Sequence, residues 1–296
     1  MNYYNEIKSK LIDNEIYSKV KDYSKERNRL ITYYEVGRLL CEAGKHYGEG
    51  IIKGYSERLV AEVGRKYNLA TLYRMRQLYI FFIEQKIAPS ARLLSWSHYI
   101  ELLSIKDENK QKYYLNISIT QRLSRNDLRK KIKSKEYERL TIEAKNKIIN
   151  NEEINIIESI KELIIIKNSN NYEVISEKVL QRIILENISS FLKELGNGFT
   201  FIDNEYKIRI GDNYNYIDLL LFNYEYNCFV VVELKVTELK KEHIGQIKFY
   251  MNYIDKNIRK IYHDKTIGII IVKKNNKYVI EYSSDSRIVL REYKLI

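Results

Sequence analysis

The spacing of apolar residues changes halfway along this chain of 296 residues. In Glu6–Leu40 and Ala70–Glu84, apolar side chains recur every three or four positions, which is typical of amphipathic helices. In Phe199–Ile210 they alternate with polar ones, and Thr266–Lys273 is a short apolar run of the kind found in buried strands. The sequence therefore predicts an α+β chain, in which a helical N-terminal domain precedes an α/β core with a mixed central sheet.

Two helices separated by a short turn give the first half helix-turn-helix character. Glycines from Gly44 to Gly54 indicate a loop, and Ser56 is expected to cap a helix that runs through Arg65. A turn at Tyr67–Leu69 then leads into the helix Ala70–Glu84. This second helix would present side chains suited to phosphates and base edges, namely Tyr73, Arg74, Arg76 and Gln77.

The second half predicts a helix, three strands, another helix and two further strands. These elements are Ile175–Leu195, Phe199–Ile210, Tyr216–Phe222, Cys228–Lys235, Leu239–Ile254, Thr266–Lys273 and Tyr278–Tyr282. The first helix should end at Gly196, since glycine commonly follows a helix C-terminus.

The excess of positive over negative charge lies entirely in the first half of the chain and gives the protein a formal net charge of +12. Residues 1–150 hold 30 Lys and Arg against 18 Asp and Glu, whereas residues 151–296 hold 21 of each. An AT-rich genome also enriches lysine, but it would not obviously segregate charge, whereas a nucleic-acid-binding module joined to a neutral one would. We therefore expect a basic helical DNA-binding domain at 1–140, a helical linker at 141–171 and a second domain at 172–296.

A run of basic residues near the end of the first domain is a second candidate DNA contact. Its members include Arg125, Arg129, Lys130 and Lys131. A solvated helix face in a lysine-rich chain explains the same run equally well, so both interpretations stay open.

Other features exclude several classes of protein. Two cysteines, Cys41 and Cys228, form no disulfide framework and no cysteine-rich zinc site, and the four histidines lack paired metal spacing. No signal peptide and no apolar run of membrane-spanning length are visible. We expect a cytoplasmic protein without a membrane partner.

Three polar residues are placed together by the predicted hairpin between Tyr216–Phe222 and Cys228–Lys235. A turn centred between Glu225 and Tyr226 pairs Phe222 with Phe229, Leu220 with Val231 and Asp218 with Glu233. Opposed side chains lie about 5 Å apart, and two carboxylates so close repel unless a cation lies between them. Lys235 follows Glu233 by two residues and shares its sheet face. The pattern indicates a magnesium site, although ordinary ion pairs on an exposed face remain an alternative.

The next helix offers two further polar side chains. Gln246 and Tyr250 are separated by four residues, so they share a helix face that can lie beside the acidic strand. A surface amide and a core tyrosine would produce the same spacing.

Together these motifs resemble the PD-(D/E)XK nuclease superfamily. Ile217-Asp218 and Val232-Glu233-Leu234-Lys235 are similar to its signature, and Gln246-x-x-x-Tyr250 resembles the element of its RecB-like branch. Nearly the whole chain also resembles the YhcG-type nucleases of bacteria. The matching phrases are Phe191–Gly196, Tyr216–Leu220, Val231–Lys235, Gly245–Tyr250, Tyr73–Gln77 and Trp96–His98.

The resemblance implies a restriction-endonuclease-like core and a Mg²⁺- or Mn²⁺-dependent phosphodiesterase. Asp218 and Glu233 would hold the metal, with the Leu234 carbonyl as a third ligand. Lys235 would serve the nucleophilic water. Gln246 would orient Lys235 or the phosphate, and Tyr250 would support the site or contact DNA.

One position departs from the family pattern. The family tends to have a glutamate on the first core helix where this chain has Gln181, which supplies no charge. Glu177, one turn earlier, is the nearest substitute and a further candidate metal ligand. The departure bears on the second metal position and on the level of activity.

The expected function is therefore that of a metal-dependent DNA endo- or exonuclease, with DNA positioned by the basic N-terminal domain. One alternative is a catalytically inactive DNA-binding or assembly module that retains the nuclease fold. Another is an RNA-cleaving defence effector. Cleavage of both strands of a duplex with one site per chain would favour a homodimer. Partner proteins from a DNA defence, repair or recombination system are also consistent with a nuclease function.

Overall fold

The computed structural model describes residues 2–19, 25–85, 94–150, 152–276 and 285–296. The chain divides into two compact units, Met1–Tyr137 and Glu138–Ile296. No helix within the described residues is both long and apolar enough to cross a membrane.

The first unit is helical, as predicted. Its helices are α1 (Tyr3–Lys19), α2 (Lys25–Tyr47), α3 (Ile51–Glu62), α4 (Leu69–Glu84), α5 (Trp96–Leu102), α6 (Glu108–Thr120) and α7 (Arg125–Lys133). They enclose a core in which Tyr67, Tyr99 and Tyr114 are fully buried. Aromatic burial of this kind contributes much of the apolar area that stabilises such a unit.

The predicted loop from Gly44 to Gly54 is wrong at both ends, because Gly44 lies inside α2 and Gly54 inside α3. Ser56 is a buried residue within α3 and not its cap. Glycine can mark close packing as well as a break. At Gly37, also within α2, a Cβ atom would lie 2.1 Å from the Met75 carbonyl oxygen of α4, so only glycine permits this approach.

The start of α4 agrees with its prediction to within one residue. Asn68 adopts an extended conformation, and its side chain accepts a hydrogen bond from the Thr71 amide at 3.1 Å. This satisfies a backbone donor that the first turn leaves without a partner. A single 3₁₀ turn, Arg65–Tyr67, lies between α3 and α4.

The second unit is built on a six-stranded mixed sheet, which confirms the predicted α/β core. Its strands are β1 (Leu163–Ile166), β2 (Phe199–Ile210), β3 (Asn213–Asn223), β4 (Cys228–Glu238), β5 (Asp264–Lys274) and β6 (Ile288–Leu295), in the order β1-β6-β5-β4-β3-β2. The strands β2, β3 and β4 pair antiparallel, whereas β4–β5, β5–β6 and β1–β6 pair parallel.

Helices cover both faces of this sheet. The helices of the unit are α8 (Ile142–Asn150), α9 (Ile156–Ser159), α10 (Glu177–Glu186), α11 (Ile188–Leu195) and α12 (Lys241–Asn257). One apolar cluster joins α10 and α11 to the sheet, and a second joins α12 to the other face. The predicted helix Ile175–Leu195 is two helices, which meet at Asn187.

Three features of the second unit differ from the sequence-based expectation. Segment 141–171, expected as a helical linker, contributes α8, α9 and the edge strand β1. Strand β6 was not predicted. The predicted strand Tyr278–Tyr282 lies outside the described residues.

Candidate active site

The candidate site lies where β3 and β4 separate. Phe222 pairs with Phe229 and Leu220 with Val231, as the hairpin pattern predicts, and the ladder ends at Leu219–Val232. Asp218 and Glu233 are the next residues on the two strands. The Asp218 Oδ2 atom accepts a hydrogen bond from the Leu234 amide at 2.7 Å, so this carboxylate replaces a missing backbone partner where the strands diverge.

Glu233 is almost completely buried, with 1% of its surface exposed. Its Oε2 atom accepts a hydrogen bond from Lys235 Nζ at 3.3 Å, and its Oε1 atom has no hydrogen-bond partner among the described residues. Burial and the nearby charge of Asp218 hold the pKa of Glu233 well above its usual range. Burial also raises the pKa of Asp218, although the Leu234 hydrogen bond opposes this shift.

Lys235 connects the acidic strand to the helix α10. Its Nζ atom lies 3.3 Å from Glu233 Oε2 and 3.5 Å from Glu177 Oε2, and only 8% of the residue is exposed. Burial lowers the pKa of Lys235, but the charges of Glu233, Asp218 and Glu177 outweigh burial, so the net shift is upward.

The helix α10 places two residues at the site. Ser176 caps it by accepting a hydrogen bond from the Val179 amide at 3.2 Å, which puts Glu177 in the first turn. Gln181 lies one turn later, and its Nε2 atom donates to the Asp218 backbone carbonyl at 2.9 Å. Gln181 therefore contacts the strand that carries Asp218, but through a neutral amide.

The helix α12 contributes the predicted pair of polar residues. Gln246 Nε2 donates to the Tyr250 hydroxyl at 3.1 Å. Tyr250 is buried, and its burial raises its pKa, with Glu233 and Asp218 adding to the increase. The hydrogen bond between Gln246 and Tyr250 therefore holds the two side chains together on one face of α12.

Glu205 is a neighbour of the site that the sequence did not indicate. It lies in β2 between the pairs Asn204–Leu219 and Tyr206–Ile217, which places it across from Asp218. Its φ of +49° lies in the left-handed region, which is strained for a residue other than glycine. Its charge contributes to the raised pKa of Asp218. A glutamate in an alternating strand looks like an ordinary solvent-facing residue, so no sequence signal was available.

The donor set suits one hard cation. Two carboxylates, one with an unpartnered buried oxygen, lie beside the Leu234 backbone, and oxygen ligands are what Mg²⁺ and Mn²⁺ prefer. Among the described residues, no group of three or more His, Cys, Asp and Glu side chains is arranged to hold a metal. Glu177 is 3.5 Å from Lys235 instead. The arrangement therefore fits a metal held by Asp218, Glu233 and a main-chain carbonyl, with water and phosphate oxygens as further ligands.

The candidate DNA-binding residues of α4 differ in their surroundings. Arg74 and Gln77 are exposed. Arg76 forms a two-point ion pair with Glu49, in which the Arg76 Nη2 atom lies 2.9 Å from Glu49 Oε1, and only 17% of its side chain is exposed.

The basic run in α7 is also partly engaged. Arg125 and Arg129 both bind the Glu101 carboxylate, with nitrogen–oxygen distances of 3.0 and 2.6 Å. Lys131 contacts Glu136 at 2.9 Å. Lys130 lies 3.6 Å from Asp127, in a pair in which 79% of the lysine side chain is exposed. Of the four, Lys130 is therefore the most available for an external phosphate.

Known proteins resemble both parts of the chain. Residues 157–296 match the family described as the YhcG PDDEXK nuclease domain, and residues 11–139 match the DUF1016 N-terminal domain. The "Putative nuclease YhcG" of Escherichia coli (strain K12) is 25% identical over 309 aligned positions, which cover 89% of this chain and 82% of that protein.

Two solved structures resemble a smaller part. A repair endonuclease from Pyrococcus abyssi is 22% identical over 41% of this chain and 48% of its own, with a TM-score of 0.30. The EndoMS–dsDNA2 complex is 21% identical over 43% of this chain and 48% of its own, with a TM-score of 0.29. The aligned region thus spans about half the length of these structures.

Proposed function

We propose that this chain, which belongs to the YhcG family of PD-(D/E)XK nucleases, is a hydrolase that cleaves phosphodiester bonds in DNA with the help of Mg²⁺ or Mn²⁺. The observation that carries the metal dependence is the buried Glu233 carboxylate, whose Oε1 atom has no hydrogen-bond partner among the described residues. Burying a carboxylate beside a second one is unfavourable unless a cation offsets the charge.

Asp218, Glu233 and the Leu234 carbonyl would hold the metal at the separation of β3 and β4. A bound divalent cation would supply Lewis-acid stabilisation of the phosphate and a more acidic water. Asp218 is oriented for this role by the Leu234 amide and by the Gln181 contact to its backbone. These contacts support the proposal because they fix the strand that carries the ligand before the metal binds.

Lys235 would orient the attacking water or stabilise the charge that develops on the scissile phosphate. Its stem is enclosed, and its ammonium group lies between Glu233 and Glu177, so its position is restricted. Gln246 and Tyr250 would line the site from α12, where their hydrogen bond restricts both side chains. Each could then meet a phosphate or the leaving strand without a large loss of rotamer entropy.

The helical unit would position the DNA. Residues 1–137 contain 27 Lys and Arg against 16 Asp and Glu, a net charge of +11, whereas residues 138–296 are close to neutral. A polyanion is attracted mainly by such charge, and its binding weakens steeply with salt. Exposed Arg74, Gln77 and Lys130 support this assignment.

Cleavage assays with site variants test the proposal. Plasmid, linear duplex and single-stranded DNA are incubated with Mg²⁺ or Mn²⁺ and either wild type or Asp218→Ala, Glu233→Ala or Lys235→Ala. Glu242→Ala, an exposed acidic residue of α12, is the matched control. We expect activity in wild type and the control, and a loss of at least about 100-fold in the three site variants. Equal activity in all five proteins would refute the site assignment.

One observation favours a second candidate, an inactive module that retains the fold for DNA binding or assembly. Gln181 replaces the helix glutamate, and no third acidic side chain completes a metal cluster among the described residues. Such a module would bind DNA, yet its melting temperature would not respond to Mg²⁺, whereas a metal-binding nuclease is stabilised by mass action. A rise in melting temperature with Mg²⁺ that is seen in wild type and lost in Asp218→Ala would exclude the inactive module.

A further inference from the structure

The strands β2 and β3 continue as a two-stranded ribbon beyond the point where β4 separates. Lys207 pairs with Tyr216 and Arg209 with Tyr214, all past the last β3–β4 pair. One face of this ribbon is apolar, since Ile208 and Ile217 are fully buried in the cluster beneath α12.

The opposite face carries aromatic and basic side chains. Tyr214 and Tyr216 are each 51% exposed. Lys207 and Arg209, on the paired strand, are also exposed to solvent. The Lys207 Nζ atom lies 3.7 Å from the centroid of the Tyr214 ring, which is a cation–π contact. We call these four residues the tyrosine ribbon.

The tyrosine ribbon leads directly to the candidate catalytic centre. Tyr216 precedes Asp218 by two residues on an extended strand, so their Cα atoms are separated by about 7 Å. A DNA strand whose scissile phosphate lies at Asp218 would therefore have its neighbouring nucleotides within reach of the tyrosine ribbon.

We propose that the tyrosine ribbon binds unpaired nucleotides of the DNA substrate next to the cleaved bond, with Tyr214 and Tyr216 stacking on bases and Lys207 and Arg209 contacting phosphates. This inference rests on the proposed function and narrows its substrate to DNA that offers unpaired bases beside the cut.

The chemistry of the face selects that substrate. A tyrosine ring stacks on the flat side of a base, and in a duplex this side is covered by the neighbouring base pairs. A duplex presents mainly phosphates, which the two cations could contact but the rings could not. Arg209 also lies 3.8 Å from Asp212, and this solvent-exposed ion pair has a small energetic value, so a phosphate could take the place of the carboxylate.

Contacts between side chains on paired strands also stabilise a two-stranded ribbon that binds no ligand. A purely structural role is therefore the competing explanation for the four residues of the tyrosine ribbon. The two explanations differ in what substitution changes. A structural role predicts a lower melting temperature with unchanged discrimination between single strands and duplexes. A stacking role predicts a selective loss of single-strand affinity.

Fluorescence anisotropy with labelled DNA distinguishes them. Mixed-sequence single-stranded and duplex oligonucleotides are titrated in EDTA, so that no cleavage occurs, with wild type, Tyr214→Leu, Tyr216→Leu and the corresponding Phe variants. Tyr224→Leu is the matched control, because Tyr224 is 66% exposed in the turn at the other end of β3. Lys207→Gln tests the phosphate contact, and thermal melting verifies folding.

We expect each Leu variant to weaken single-strand binding by about 5- to 100-fold, with duplex binding changed less than about twofold and full recovery in the Phe variants. Lys207→Gln should reduce the single-strand salt slope by about 0.7. Unchanged single-strand affinity in the Leu variants, or an equal loss on both DNAs, would overturn the inference. If a Leu variant does not fold, an unchanged salt slope in Lys207→Gln would overturn it as well. Since binding is read without metal, absent cleavage would count against the proposed function alone.

Discussion

Replacing Glu233 by glutamine should stabilise the metal-free protein and at the same time remove its response to metal. The carboxylate is 1% exposed, and its Oε1 atom has no hydrogen-bond partner among the described residues. Glutamine keeps the shape and an oxygen but removes the charge. We expect the free energy of unfolding without metal to rise by about 1–3 kcal/mol near neutral pH, because folding forces Glu233 either to keep a poorly compensated charge or to take up a proton, and glutamine does neither.

The effect on melting temperature follows from the size of the unit. The second unit has about 160 residues, for which 1 kcal/mol corresponds to about 2–4 °C. The metal-free variant should therefore melt about 2–12 °C above wild type. Mg²⁺ at about 100 times its Kd should stabilise wild type by about 2.7 kcal/mol and leave the variant unchanged.

The pH dependence has a definite sign. The folded-state pKa of Glu233 is raised, so the unfolded chain ionises first, and native stability falls as pH rises above the ordinary carboxyl range. Glutamine does not titrate. The difference between variant and wild type should therefore widen from about pH 5 to about pH 8.

Differential scanning fluorimetry or calorimetry in EDTA, and then in Mg²⁺, measures the metal-free stability, the response to metal and the pH dependence. Glu242→Gln on the exposed side of α12 is the control and should match wild type. If the metal-free Glu233→Gln variant melts below wild type at both about pH 5 and about pH 8, the ion pair with Lys235 stabilises the protein more than burial of Glu233 destabilises it. The account of an uncompensated carboxylate would then be wrong.

Four further outcomes are expected. Lys235→Gln should reduce cleavage by about 100- to 1,000-fold and keep the metal-induced melting shift, which calorimetry would show. Asp218→Asn should keep the acceptor for the Leu234 amide, so it should fold with near-normal stability yet show no metal-induced shift. Gln181→Ala removes the donor to the Asp218 carbonyl; it should lower the free energy of unfolding by about 1 kcal/mol and weaken metal binding in a titration. Lys130→Gln should reduce the duplex salt slope by about 0.9 in binding assays, and an unchanged slope would remove Lys130 from the DNA-binding surface.

The hairpin register that leads to the candidate site was predictable because it depends on local chain geometry. A short turn fixes the register of a hairpin, so Phe222–Phe229 and Leu220–Val231 followed from the position of the turn. The helix α12 directly follows β4, which is why Gln246 and Tyr250 could be placed beside it.

Non-local features were not predictable in the same way. Strands β1 and β6 pair with each other across more than a hundred residues, and a short apolar run such as Leu163–Ile166 does not reveal such a partner. The left-handed conformation of Glu205, which lies across from Asp218, was not foreseeable from its local sequence, because that sequence is typical of an ordinary alternating strand. The buried state of Glu233, which gives the site its electrostatics, likewise arises from packing on both faces of the sheet.

We expect a catalytic divalent metal to bind where β3 and β4 separate. Anomalous scattering from a crystal soaked in Mn²⁺ would locate this metal. We predict an anomalous peak within about 2.0–2.2 Å of oxygens from Asp218, Glu233 and the Leu234 carbonyl, and none in an Asp218→Ala crystal. A well-ordered wild-type site without a peak at saturating Mn²⁺, or a peak held by other residues, would contradict the account.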